Sequence, residues 1–141
     1  MPGRYFLDTN VIVYSFDRDD HRKRRIAAEL IKDSLTSQRG IISYQVIQEF
    51  INVALQKFKN PMNVEDCKAY IEEFLTPICE VFPSIELYLD AMDIKSEAQI
   101  GFYDALIVAS AIKGNARTLY TEDLNDRQKI RGVQIVNPFK S

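Results

Sequence analysis

Apolar positions along the chain fall into short runs and helical stripes that alternate. Tyr5-Phe6-Leu7 is a short apolar run that stops at Asp8 and predicts a strand. Val11 to Phe16 predict a small apolar turn or helix. A charged stretch, Asp17 to Arg25, leads into a helix with Ile26, Ala27, Leu30, Ile31 and Leu35 on one stripe. Arg39-Gly40 is a turn, and Ile41-Ile42-Ser43 predicts a second strand. The strongest helical pattern follows: Val46, Ile47, Phe50, Ile51, Ala54, Leu55 and Phe58, broken by Asn60-Pro61. Asn63 then has the character of an N-cap, with Glu65 and Asp66 in the first turn. Val64, Cys67, Tyr70, Ile71, Phe74 and Leu75 form the apolar face of that helix.

Glu80-Val81-Phe82 predicts a third strand, and Pro83-Ser84 opens a helix through Leu87, Tyr88, Ala91 and Met92. Residues 105–112 are apolar nearly all round, which predicts a buried helix closed by Gly114. Thr118 to Thr121 and Val133 to Val136 predict the fourth and fifth strands, the last stopped by Pro138. Strands separated by helices imply an α/β fold with a mainly parallel five-stranded sheet covered on both faces.

Composition narrows this picture. The 141 residues, 46% hydrophobic and 27% charged, fit a single domain spanning 1–141 with a core of its own. Five glycines, none clustered, leave no phosphate-cradling loop. Two cysteines, Cys67 and Cys79, lack metal-ligand spacing and fit a reducing compartment. The start of the chain carries no apolar run long enough for a signal or a membrane span, so a cytoplasmic protein is expected. A net charge of -2, from 18 basic and 20 acidic residues, excludes a domain coated in Lys and Arg.

Sites in open parallel sheets lie beyond the carboxyl ends of the strands. Asp8 follows the first strand and Asp123 the fourth. Asp104 opens the apolar helix, where capping alone would account for a carboxylate. Glu49 lies about 150° from the middle of its helix's apolar stripe, which by periodicity makes it a surface glutamate. It is also in the second turn of a helix that starts at the presumed active edge.

These acids carry a family likeness. The segments Phe6-Leu7-Asp8-Thr9-Asn10-Val11, Ile42-Ser43-Tyr44-Gln45-Val46-Ile47-Gln48-Glu49-Phe50, Tyr103-Asp104-Ala105-Leu106-Ile107-Val108-Ala109 and Leu119-Tyr120-Thr121-Glu122-Asp123-Leu124 occur in that order. Together with Ile135-Val136-Asn137-Pro138-Phe139, they make the chain resemble the PIN-domain ribonucleases, in particular VapC-like toxins of toxin–antitoxin pairs. The resemblance implies a PIN-like α/β/α sandwich. It also implies a metal-dependent endoribonuclease in which Asp8, Glu49, Asp104 and Asp123 bind Mg²⁺ or Mn²⁺. Thr9, Asn10 and Thr121 match supporting positions. Glu122 competes with Asp123 for the fourth place, and Asp126 is an outer candidate. The resemblance further implies a homodimer, a cognate antitoxin and no membrane association. The helices Val46 to Phe58 and Val64 to Leu75 are the surfaces considered for those contacts.

The implied chemistry agrees with the rest of the sequence. Carboxylates are hard ligands suited to Mg²⁺ or Mn²⁺, and four of them converging without a cation would repel. The chain's one histidine, His21, lies in a charged run far from either cysteine, which leaves a Ser–His or Cys–His mechanism without support. Two basic runs could meet RNA phosphates: one with Arg22 and Arg25, the other with Arg127 and Lys129. Tyr14, Phe16, Tyr44 and Tyr103 lie near the motifs and could stack on bases. A non-toxin PIN nuclease of RNA processing is the second reading, and a silent PIN scaffold a further one. A phosphoacceptor domain is disfavoured because Asn10 stands where haloacid-dehalogenase-type enzymes need a second Asp. Setting the quartet aside leaves 18 basic against 16 acidic residues, so the acidic excess is the proposed metal pocket itself.

Overall fold

The computed structural model describes residues 3–140. The chain runs β1 (Arg4–Leu7), α1 (Thr9–Tyr14), α2 (His21–Ser37), β2 (Gly40–Ser43) and α3 (Tyr44–Asn52). It continues through α4 (Val64–Tyr70), β3 (Cys79–Val81), α5 (Ile85–Ala98), α6 (Phe102–Lys113), β4 (Ala116–Tyr120), β5 (Lys129–Ile130) and β6 (Val133–Val136). Local signals set many of the boundaries. The side chains of Asp20, Asn63 and Ser84 accept from the backbone N–H three residues on and so cap α2, α4 and α5. The stripes predicted through Phe58 and Leu75 continue past α3 and α4 as the wider π-helical turns Val53–Lys57 and Ile71–Leu75.

The sheet has six strands in the order β3-β2-β1-β4-β6-β5, against the five the sequence predicts. All neighbours are parallel except β5 with β6. The extra strand, β5, is two residues long and too short to show a periodicity. It exists because Arg131 (φ 48) and Gly132 (φ 85) both take positive φ and turn the chain back into a tight hairpin. Phe6, Leu7, Ile41, Ile42, Leu119 and Ile135 are fully buried, as expected where helices cover both faces of a parallel sheet.

The topology places the site. From β1 the chain steps outward through β2 to β3, then returns to the other side of β1 as β4. The strand order therefore reverses between β1 and β4, and the crevice beyond their carboxyl ends is the expected binding position in such a sheet. Asp8 leaves β1 there, and Thr121 leaves β4 there.

The aromatic residues of the helices considered as partner surfaces pack inward. Phe16 packs with Phe50, Phe58 and Tyr70, Phe50 with Phe58 and Tyr70, and Tyr70 with Phe74, at centroid distances of 4.8–6.4 Å. Exposed large apolar residues lie at Phe82, on α5 at Ile85, Leu89 and Met92, and also at Tyr44 on α3, Val64 on α4 and Tyr103 on α6. Cys67 is buried and Cys79 half-buried, both are free, and burial raises both thiols. His21 is exposed at the start of α2. Among the described residues no helix is long and apolar enough to cross a membrane.

Candidate active site

Asp8 is the N-cap of α1 and is 5% exposed. Its Oδ1 accepts from the backbone N–H of Thr9 at 2.7 Å, and its Oδ2 accepts from the Thr121 hydroxyl at 2.7 Å. Thr121 is fully buried and its hydroxyl is used to capacity. It also accepts from Asn10 Nδ2 at 3.3 Å and from the backbone N–H of Asp123 at 3.1 Å. Asn10 returns the contact through Oδ1, which accepts from the backbone N–H of Glu122 at 3.3 Å. The loop after β4 is thus fastened to the start of α1 by side chains from both.

The network extends across the crevice. The Thr9 hydroxyl donates to Glu49 Oε1 at 2.5 Å. Gln45, one turn earlier on α3, donates through Nε2 to Glu49 Oε2 at 3.4 Å and to the carbonyl of Tyr103 at 3.2 Å. Tyr103 precedes Asp104 in the first turn of α6. A continuous set of contacts therefore runs from the Asp123 backbone through Thr121, Asp8, Thr9, Glu49 and Gln45 to the residue beside Asp104. Glu49 is half-buried in this network, not on the open surface that its periodicity predicts. Gln45 was not singled out from the sequence; its spacing of four residues from Glu49 on one helix face is the signal that could have found it.

The electrostatics follow from burial and like charge. Burial lifts the Asp8 carboxyl from 3.8 to about 7, against the hydrogen bonds from Thr121 and Thr9, and the charges of Asp123 and Glu49 add to the rise. Asp104 is also raised, by burial first and then by Asp123 and Glu49. None of the four acids forms an ion pair among the described residues. Nor do any three His, Cys, Asp or Glu side chains among those residues stand close enough to form a finished metal cage. The donor set is nevertheless that of a hard divalent cation: carboxylate oxygens that have no cation partner among the described residues.

Glu122 and Asp126 are engaged elsewhere. Glu122 accepts from Lys23 Nζ at 2.7 Å and from the Tyr14 hydroxyl at 2.6 Å. Burial alone would raise its carboxyl, but these two donors overcome that and hold it below the usual range. Lys23 in turn is pushed up to about 12 by its bonds to Glu122 and Tyr14, and lies over the rings of Tyr14 and Phe139. Asp126 accepts from the backbone N–H of Asn137 at 2.7 Å, which ties its loop to the end of β6. Arg22 and Arg25 on α2, Arg127 and Lys129 are all exposed. The pairing of Lys23 with Glu122 spans 99 positions and left no local trace in the sequence.

An open, mainly parallel sheet with carboxylates gathered at its switch point defines an α/β domain of PIN type. The PIN domain family model matches residues 5–130, and the chain belongs to that family. Among solved structures, a chain of the DNA-bound VapBC complex from Salmonella typhimurium matches with a TM-score of 0.64 at 23% identity, over 94% of this chain and 96% of that one. The toxin–antitoxin complex from Klebsiella pneumoniae gives 0.66 at 20% identity, over 95% and 97%. FitAcB from Neisseria gonorrhoeae gives 0.60 at 18% identity, over 96% and 98%. At these identities the likeness is one of fold. No curated protein matches the sequence.

Proposed function

We propose that residues 1–141 form one PIN domain that acts in the cytoplasm as a divalent-metal-dependent endoribonuclease, the toxin of a toxin–antitoxin pair. The observation that carries this reading is the bonded set from Thr121 through Asp8, Thr9 and Glu49 to Gln45, which holds the carboxylates of Asp8 and Glu49 at one crevice and fastens there the Asp123 backbone and the start of α6 that carries Asp104. Asp8, Glu49, Asp104 and Asp123 are the residues that would hold Mg²⁺ or Mn²⁺. When bound, such a cation lowers the pKa of a water and stabilises charge on a scissile phosphate.

The remaining work falls to the chain itself. Thr121 and the Thr9 backbone fix both oxygens of Asp8, while the Thr9 hydroxyl and Gln45 fix those of Glu49. Thr121 also sets the backbone from which Asp123 projects. Arg22, Arg25 and Lys129 are exposed and available to contact RNA phosphates around an otherwise acidic crevice, as is Arg127, which is exposed beside its ion-pair partner Asp126. The exposed apolar positions Ile85, Leu89 and Met92 support a homodimer, and the fold shared with chains of toxin–antitoxin complexes supports a cognate antitoxin.

The test replaces Asp8 or Asp104 by Asn and measures RNA cleavage with Mg²⁺ or Mn²⁺. Cleavage by the natural chain and loss in both variants is expected. A natural chain that cuts no RNA, or variants that cut as fast, defeats the reading.

A further inference from the structure

Beside the acids lies a cavity of about 370 Å³ that the proposed chemistry leaves unused. It opens where β2 runs into α3, under the loop from β3 to α5 and against the start of α6. Ser43, Tyr44, Gln45, Phe82, Tyr88 and Tyr103 line it. We propose that this cavity is a nucleobase subsite, which takes one unstacked base of the RNA adjoining the bond to be cut. The proposal deepens the nuclease reading and rests on it for its substrate.

Three independent features carry it. The first is the aromatic rim. Tyr44 and Phe82 stand edge-to-face at 5.0 Å and are 46% and 58% exposed, although neither completes a core. Exposed aromatic rings around an opening are stacking platforms for bases. The second is unmet polarity. Ser43 Oγ and Gln45 Oε1 are buried without any hydrogen-bond partner, and both residues line the cavity. Ser43 precedes α3 as its N-cap but its side chain makes no capping bond. A buried acceptor and a buried hydroxyl are costly when left alone, and the donor-and-acceptor edge of a base supplies what they lack. An apolar side chain from a protein partner would fill the space and leave both atoms unpaired.

The third feature is position. The Gln45 side chain, whose oxygen is unpartnered, holds Glu49 with its nitrogen. The same nitrogen holds the carbonyl of Tyr103, the residue before Asp104. A base in the cavity is therefore joined to the acids through one side chain, Gln45. The volume lies at the low end of small-ligand pockets, about 300–1,000 Å³.

The experiment reads binding and cutting separately with the full chain. Hydrolysis-resistant 2′-O-methyl phosphorothioate RNA oligonucleotides, differing at single positions, are titrated by fluorescence anisotropy with Mg²⁺. A randomised RNA pool is then digested and the new ends are sequenced. The natural chain is expected to favour one or two bases at one position beside the cut. Phe82→Ala and Tyr44→Ala weaken binding about ten-fold, flatten that preference and raise KM, with kcat within about three-fold. Both side chains are exposed, so folding survives the change. Ser43→Ala alters the preferred base while the unfolding midpoint stays level or rises, because a lone buried hydroxyl has been removed. If the aromatic variants keep natural affinity and preference, the assignment is overturned, whether or not RNA is cut. Base-selective binding that the variants lose, with no cleavage by the natural chain, upholds the subsite and overturns the nuclease reading instead. Variants that keep RNA selectivity but lose a copurifying protein assign the cavity to a protein side chain and overturn the proposal.

Discussion

The Thr121 hydroxyl donates to Oδ2 of Asp8 at 2.7 Å, across 113 positions of chain. This bond joins the carboxyl ends of β1 and β4 at the point where the strand order reverses. Replacing Thr121 by Val keeps the shape but strands Asp8, Asn10 and the Asp123 backbone N–H. RNA cleavage is expected to fall at least ten-fold and stability by about 1–3 kcal/mol. Thr121→Ser keeps the hydroxyl and most of the activity. Parallel cleavage assays and urea unfolding of the two variants check this, and equal activity of Val and Ser variants would count against it.

Asp8 makes the metal-free protein sensitive to pH. Its carboxyl titrates at about 7 in the fold, against an ordinary 3.8. The folded state therefore holds this proton more tightly than the unfolded chain. The stability it contributes is present in full below about pH 4 and is lost as the pH rises through about 7. With chelator at pH 8, Asp8→Asn is expected to be more stable than the natural chain by about 1–2 kcal/mol, a gap that closes towards pH 5. Saturating Mn²⁺ reverses the order, because only the natural chain gains from binding. Thermal unfolding at a series of pH values, with and without the ion, measures the difference.

Glu122 and Asp123 are neighbours in sequence with separate duties. Glu122 is bonded to Lys23 and Tyr14, so Glu122→Gln is expected to keep cleavage within about three-fold and to cost at most about 1 kcal/mol, as a partly exposed ion pair does. Asp123→Asn is expected to abolish cleavage. A single-turnover assay of both settles which acid serves the site; the opposite ranking would move the quartet by one residue.

Gly40 begins β2 where α2 presses on the sheet. A Cβ there would meet Ser34 Oγ at 1.9 Å and the Tyr5 ring at 2.6 Å. Gly40→Ala is expected to destabilise the protein by about 1–3 kcal/mol through overpacking. Calorimetric unfolding reads this directly, and an unchanged midpoint would show that α2 shifts freely on β2.

Asp8 and Asp123 were legible because each follows a strand, and Asp104 because it opens a helix that is apolar all round. Glu49 was not legible by periodicity. Its place depends on the Thr9 hydroxyl, which reaches it across 40 positions, and no helical wheel contains that partner. The family likeness supplied Glu49 instead. β5 escaped notice because two residues carry no period and its turn puts Arg131, not Asn or Asp, at the first positive-φ position. The α3 and α4 stripes were seen correctly, but a stripe does not say whether it meets the core or a partner. The aromatic packing of Phe16, Phe50, Phe58 and Tyr70 decides that for the core.

The strand order β3-β2-β1-β4-β6-β5 also has a consequence for synthesis. β1 is made before the other strands of the sheet, yet one of its two neighbours is β4, made more than a hundred residues later. Until that neighbour arrives, Asp8 has no Thr121 to hold it and no Asp123 across from it. An unfinished chain therefore carries three of the four acids without the fastening that aims them.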